Sequence, residues 1–343
     1  MLAKPPRLQK GDRVAAVSLS WGGPAVLPGR YEAGRKQLEE AFGVEVVEMP
    51  HTLADPTTLA AHPGARADDL HRALSDPAIA GVVTTSGGDD SIRILPHLEL
   101  GVIAENPKVL LGYSDTTITQ MAFLRAGVTS FYGPAMMAGF AESGGLHGYL
   151  TAGVTRMLFE PEPTLVWPEN DAGWTVEFQD RADPAHQSRA RQLQPSTPWR
   201  WHGGTTTEGI SVVGCLEVLD WLRGTEWWPS LDGRVLMLET SEEAPPPEAL
   251  TRFLRILGLT GELQALAGIV LGRPGGSALP LDRHVSYDEA VLGVVRAEHG
   301  LDLPVVTNVD FGHTDPIWTV PQGIPVRLDP EARQITFLDT AVS

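Results

Sequence analysis

The segment Gly112-Tyr-Ser-Asp-Thr116 holds the most reactive combination of residues in this sequence. A buried apolar run, Val109 to Leu111, leads through a glycine-containing turn straight into the helical pattern of Thr116 to Ala126. A serine at such a corner presents its hydroxyl at the carboxyl edge of a sheet, beside the unpaired amides and positive dipole end of a helix. That is the setting of a nucleophile elbow, where a developing oxyanion finds donors. The sequence departs from G-x-S-x-G because position 116 is Thr, and the same residues equally suit Ser114 or Asp115 as a plain helix cap.

A serine nucleophile needs an imidazole as base, and the imidazole needs a carboxylate to orient it. Glu239 ends the apolar run Arg234 to Leu238, and His313 sits in Phe311-Gly-His-Thr-Asp315, just beyond the run ending at Thr307. In α/β domains functional groups gather at such strand ends. His51, His62, His71, His97 and His147 fall in loops or on polar helix faces. Thr84-Thr-Ser-Gly-Gly-Asp-Asp90 follows another strand end, and its two glycines permit close backbone approach or an ordinary turn. It is too short for a Walker loop and does not read G-x-G-x-x-G.

The elements that must position these residues alternate in type. Strand patterns at Arg13–Ser20, Val44–Met49, Gly81–Thr85 and Val109–Gly112 are separated by helical patterns at Tyr31–Phe42, Ala67–Leu74 and Ser91–Leu98. Alternation of this kind predicts a parallel sheet covered by helices on both faces. We expect an N-terminal α/β domain over 1–145 carrying the nucleophile. A linker and irregular Trp-containing segment follows over 146–205, and a second α/β domain over 206–343 carries Glu239 and His313. The second domain is expected to open with a helix near Ser211–Arg223, with strands at Arg234–Leu238, Ala267–Leu271 and Pro304–Thr307. An active site in the cleft between the domains follows.

The 343 residues, 42% hydrophobic and 20% charged, are those of a folded globular protein of two-domain size. A formal charge of −17 and the lack of a Lys/Arg cluster disfavour nucleic acid and membrane surfaces as partners. One cysteine, Cys215, allows neither an internal disulfide nor a cysteine-based zinc site. The first apolar run, Val14–Leu19, is too short for a signal peptide, so a cytoplasmic location is expected.

Gln9-Lys-Gly-Asp12, Ser86-Gly-Gly88, the stretch Pro107 to Asp115, Tyr132-Gly-Pro134, Val213-Gly-Cys-Leu-Glu217, Leu236-Met-Leu-Glu-Thr240, Gly268 to Pro274 and Phe311-Gly-His313 recur in one order. Together they resemble the LD-carboxypeptidase family of serine peptidases, which holds muramoyl-tetrapeptide carboxypeptidases and microcin C immunity proteins. The resemblance implies a Ser-Glu-His triad of Ser114, Glu239 and His313, with an oxyanion hole at the amides of Asp115 and Gly88 and substrate at Gly87. It implies no metal or organic cofactor, a small-molecule or peptide substrate, and a homodimer. Glu217 is a second acid near Glu239 in sequence; lying in a predicted helix, it is expected to pack or to face substrate.

Six tryptophans, Trp174, Trp199, Trp201, Trp221, Trp227 and Trp228, cluster around the linker. Most such residues belong to a core, yet Trp199 and Trp201 lie among Pro, Arg, His and Gly and suit stacking on a planar ligand. This resembles the immunity branch, which recognises aminoacyl-adenylate-like compounds. A murein tetrapeptide ends in a carboxylate that wants a cationic clamp, whereas the turn after Thr85 carries Asp89 and Asp90. Cleavage of an amide or acyl-phosphoramidate link in an aminoacyl-nucleotide is therefore expected ahead of D-alanine release from murein peptides. A non-catalytic ligand-binding protein on the same scaffold, with Ser114 as a cap, is the alternative of another class.

Overall fold

Strands β1 (Arg13–Val17), β3 (Gly81–Thr84) and β4 (Val109–Gly112) are short, apolar and almost wholly buried. Continuous apolar strands are what a parallel sheet covered on both faces requires. In the computed structural model, which describes residues 2–277 and 279–343, they sit inside a six-stranded sheet. β2 (Glu45–Glu48) and β5 (Phe131–Tyr132) complete its parallel part, in the order β5-β4-β3-β1-β2. Helices α1 (Pro28–Phe42), α2 (Pro63–Ser75) and α3 (Thr117–Arg125) form the crossovers, and α1 ends at Gly43 with φ +68°.

An eight-stranded sheet forms the second half. Its parallel centre is β8 (Thr207–Cys215), β9 (Arg234–Glu239), β10 (Gly268–Gly272) and β11 (Val305–Val309). The chain is thus α/β in both halves, as the alternating pattern predicts. The expected helix near Ser211 is a strand instead, and only Leu216–Asp220 (α4) is helical. Ile210, Val212 and Val213 of β8 are β-branched and pack in mid-sheet between β9 and β13 (Pro325–Asp329), so propensity and environment both favour the strand.

The segment 146–205 does more than link. β6 (Leu165–Val166) pairs with β14 (Gln334–Phe337) at one edge of the second sheet, and β7 (Arg200–His202) pairs with β11 at the other. In return, β12 (Val320–Pro321) crosses back to pair with β5 of the first sheet. Two hydrophobic cores run across both sheets; one joins Val83, Tyr132 and Phe140 to Val213, Met237 and Phe311. Among the described residues no helix is long and apolar enough to cross a membrane.

Candidate active site

The carboxyl ends of β4, β9 and β11 converge at the seam between the sheets. Thr117, which opens α3, accepts a hydrogen bond from the Cys215 amide at 3.1 Å, fixing the first sheet's elbow helix against the end of β8. Gly112 ends β4 where a Cβ would fall 2.2 Å from Thr84 Oγ1, so the turn leaving the strand has room for glycine alone. Two residues on, Ser114 has φ +61°, the left-handed region that costs a residue with a Cβ about 1 kcal/mol or more. Strain of this kind is held in place by neighbours. The Ser114 amide donates to the Tyr132 hydroxyl at 3.0 Å, and the Ser114 carbonyl accepts from Thr117 Oγ1 at 2.7 Å.

His313 and Glu239 come from the second sheet. Ser114 Oγ lies 3.0 Å from His313 Nε2, and His313 Nδ1 lies 2.7 Å from Glu239 Oε2. The same oxygen accepts from the His313 amide at 3.2 Å, so one carboxylate oxygen sets both the ring and the backbone. Gly312 makes this approach possible: it has φ +95°, and a Cβ there would sit 2.4 Å from Glu239 Oε2. The imidazole packs against the Tyr113 ring at 4.9 Å. Burial by itself would depress the His313 pKa. The Glu239 charge and hydrogen bond, joined by Glu242, outweigh burial and lift it to about 10.

Glu242 was not singled out by sequence, and only its place three residues after Glu239 hints at it. Its Oε2 lies 3.0 Å from His313 Nε2, on the side from which Nε2 also meets Ser114. The hydrogen bond to His313 holds the Glu242 carboxyl down at about 2. With 69% of its side chain exposed, Glu242 is solvent-screened and displaceable.

Asp115 follows Ser114 as the second residue of a short 3-10 turn, so its amide has no partner within that turn and is a free donor beside the serine. Its carboxylate points elsewhere, accepting from the Ser91 amide at 2.9 Å, the Asp90 amide at 3.2 Å and Ser91 Oγ. That brace holds the Gly87–Gly88 turn against the elbow. A Cβ on Gly87 would lie 2.9 Å from Ser114 Cβ and 3.0 Å from Ser114 Oγ, and Gly88 has φ +149°. Asp90 is neutralised by Arg66 at 2.8 Å and Arg93 at 3.4 Å, so the turn is less acidic than its sequence implies.

Glu217 packs against the loop after β9, one of its two expected placements, whereas Trp199 and Trp201 turn toward the core. Glu217, in the first turn of α4, gives its carboxylate to Ser241 (amide 3.1 Å, Oγ 2.6 Å) and to the Cys215 thiol, leaving Glu239 as the acid at His313. Trp199 is 1% exposed: its ring packs edge-on against Trp167 at 5.4 Å and its Nε1 donates to Asp310 at 2.7 Å. It therefore cannot stack on a ligand, because the β7 edge strand turns it into the core. Trp201 lies half-buried on β7, two residues further on, packed against that core. Cys215, Glu239 and His313 could also place three ligand atoms within 4.8 Å of one another for a metal ion. In this structure these groups are engaged with other partners: the Cys215 thiol donates to Glu217 Oε2 at 3.4 Å, and the two Glu239 oxygens are held by His313 and Tyr132.

A serine on a strained strand-to-helix corner, with imidazole and carboxylate lined up behind it, has the geometry of a hydrolase centre on a two-sheet α/β scaffold. The LD-carboxypeptidase N-terminal domain matches residues 14–133 and the LD-carboxypeptidase C-terminal domain residues 208–328, and the chain belongs to that family of serine peptidases. The microcin C7 self-immunity protein MccF of Escherichia coli is 25% identical over 287 residues, 81% of this chain and 79% of its own. The Streptomyces coelicolor protein SCO6489 is 31% identical over 344 residues, 98% of this chain and 96% of its own. Among solved structures, an MccF-like protein from Streptococcus pneumoniae in complex with AMP superposes with a TM-score of 0.84 at 28% identity, over 95% of this chain and 98% of that one.

Proposed function

We propose that this protein is a serine amidase in which Ser114 attacks a carbonyl, His313 carries the proton and Glu239 orients the imidazole. The observation that carries the reading is the continuous line from Ser114 Oγ through His313 to Glu239, at 3.0 and 2.7 Å. Ser114 gives its proton to Nε2 as Oγ bonds to the carbonyl carbon. The resulting oxyanion is received by the Asp115 amide and the Gly87–Gly88 turn. Nε2 then returns the proton to the departing nitrogen, leaving an acyl-serine that water hydrolyses by the same route in reverse.

For the substrate, we favour an aminoacyl-nucleotide or its sulfamoyl analogue over a murein tetrapeptide. Stacking on Trp199 no longer supports this choice. Its support is the likeness to MccF over most of both chains, and AMP in the pneumococcal MccF-like relative. Homodimerisation rests on the family resemblance and a cytoplasmic location on the short first apolar run, Val14–Leu19, and both belong to the same proposal. Purified protein offered an aminoacyl sulfamoyl adenosine and a murein tetrapeptide should cleave the first at the higher specificity constant. Faster release of D-alanine from the tetrapeptide would reverse the substrate choice while leaving the hydrolytic centre in place.

A further inference from the structure

The Tyr132 hydroxyl touches both halves of the candidate triad, and the triad scheme gives it no role. Tyr132 ends β5, where parallel register with β4 sets it beside Gly112, directly before the elbow. Its side chain is fully buried, with the ring held edge-on by Tyr113 at 6.2 Å and Phe311 at 6.4 Å. The oxygen accepts the Ser114 amide at 3.0 Å and donates to Glu239 Oε1. The other oxygen of Glu239 serves His313. One hydroxyl thus joins the nucleophile's backbone, on the first sheet, to the orienting carboxylate, on the second.

Two consequences follow. The Ser114 amide belongs to a residue in the left-handed region, at a helix start that leaves amides unpaired, and Tyr132 is the acceptor that satisfies it. A phenol donating to one oxygen of a carboxylate also draws charge from the other, so Glu239 attracts the His313 Nδ1 proton less strongly than it would alone. Burial pushes the phenol far above its usual range, so it remains a donor across any assay pH.

We propose that Tyr132 is a positioning residue for the hydrolytic centre, fixing the Ser114 elbow and the Glu239 carboxylate to each other across the two sheets and tempering the Glu239–His313 hydrogen bond. The proposal rests on the triad reading above. Its test combines a spectroscopic signature with a double-mutant cycle. In Tyr132→Phe the His313 Nδ1 proton, read at neutral pH in the low-field 1H spectrum, should move further downfield, because the carboxylate is now the stronger acceptor. Replacing Tyr132 by 3-fluorotyrosine, which keeps the shape and strengthens the donor, should move it upfield, and this variant serves even if Tyr132→Phe folds poorly. Turnover in Tyr132→Phe should fall about ten- to a hundredfold with little change in KM, and that loss should shrink in a Glu239→Gln background, where the two residues no longer act in series. A His313 resonance unmoved by either variant, or a loss that adds in full to that of Glu239→Gln, would overturn the role of Tyr132 while Ser114→Ala still abolishes activity. Activity surviving in Ser114→Ala would remove the triad and this proposal together.

Discussion

In the proposed mechanism the chemistry turns on His313, whose Nε2 has two neighbours competing for it, Ser114 Oγ and Glu242 Oε2, each at 3.0 Å. A general base must be neutral to accept the serine proton, and burial, which favours the neutral ring, is opposed by the Glu239 and Glu242 charges, which raise the His313 pKa. Removing the Glu242 charge takes away one of the forces that raise this value, so the acid limb of the kcat/KM profile should move to lower pH in Glu242→Gln. A pH series on both proteins measures it; a limb that stays put or moves upward contradicts the contact. Glu239→Gln should lower kcat strongly with little change in Tm, whereas Glu217→Gln should act on stability or KM through the Ser241 loop. The reverse pattern would move the acid to Glu217. Strand exits made Ser114, Glu239 and His313 candidates in the sequence, but spacing alone left Ser114 equally a helix cap, and the family resemblance singled out the three together. Tyr132 and Glu242 were not legible that way, because their contacts to Ser114, Glu239 and His313 form only in the folded chain.

At the scale of elements, the turn after β3 and the corner after β4 are built against each other. Gly87 has so little room that a methyl group there must displace Ser114, its Cβ falling 2.9 Å from Ser114 Cβ. We expect Gly87→Ala to fold and to lose turnover by about a hundredfold or more, since misplacement of a reacting group by about 1 Å carries that penalty. Steady-state kinetics alongside circular dichroism checks it, and near-normal kcat would show the turn to be remote from the chemistry. The first sheet was legible because its strands are unbroken apolar runs between helices. β8 was not: Gly214 and Cys215 interrupt its β-branched run, and α4 continues it without a break, so strand and helix merge in one apolar stretch. The tryptophans misled for a related reason. Pro, Gly and Arg around Trp199 mark an edge strand whose partner, β11, lies over a hundred residues away.

Across the whole molecule the chain laces the two sheets together, with β6 and β7 of the middle segment edging the second sheet and β12 returning to the first. Asp310 shows how the middle segment is fastened. It accepts from Trp199 Nε1 at 2.7 Å and the Asn170 amide at 3.3 Å, and it pairs with Arg273 at 2.7 Å, both side chains 1% exposed. Loss of one partner of such a pair strands a buried charge, at a cost of about 3–5 kcal/mol. Arg273→Leu should therefore lower Tm by many degrees in a thermal melt, and an unchanged Tm would mean that the pair carries no structural weight. The central claim, that covalent attack by Ser114 performs the reaction, is tested most directly by turnover in Ser114→Ala, with the fold checked by circular dichroism. Turnover should fall by several orders of magnitude at an unchanged Tm, because only binding and oxyanion contacts would remain. Retention of more than about a tenth of wild-type turnover would contradict it.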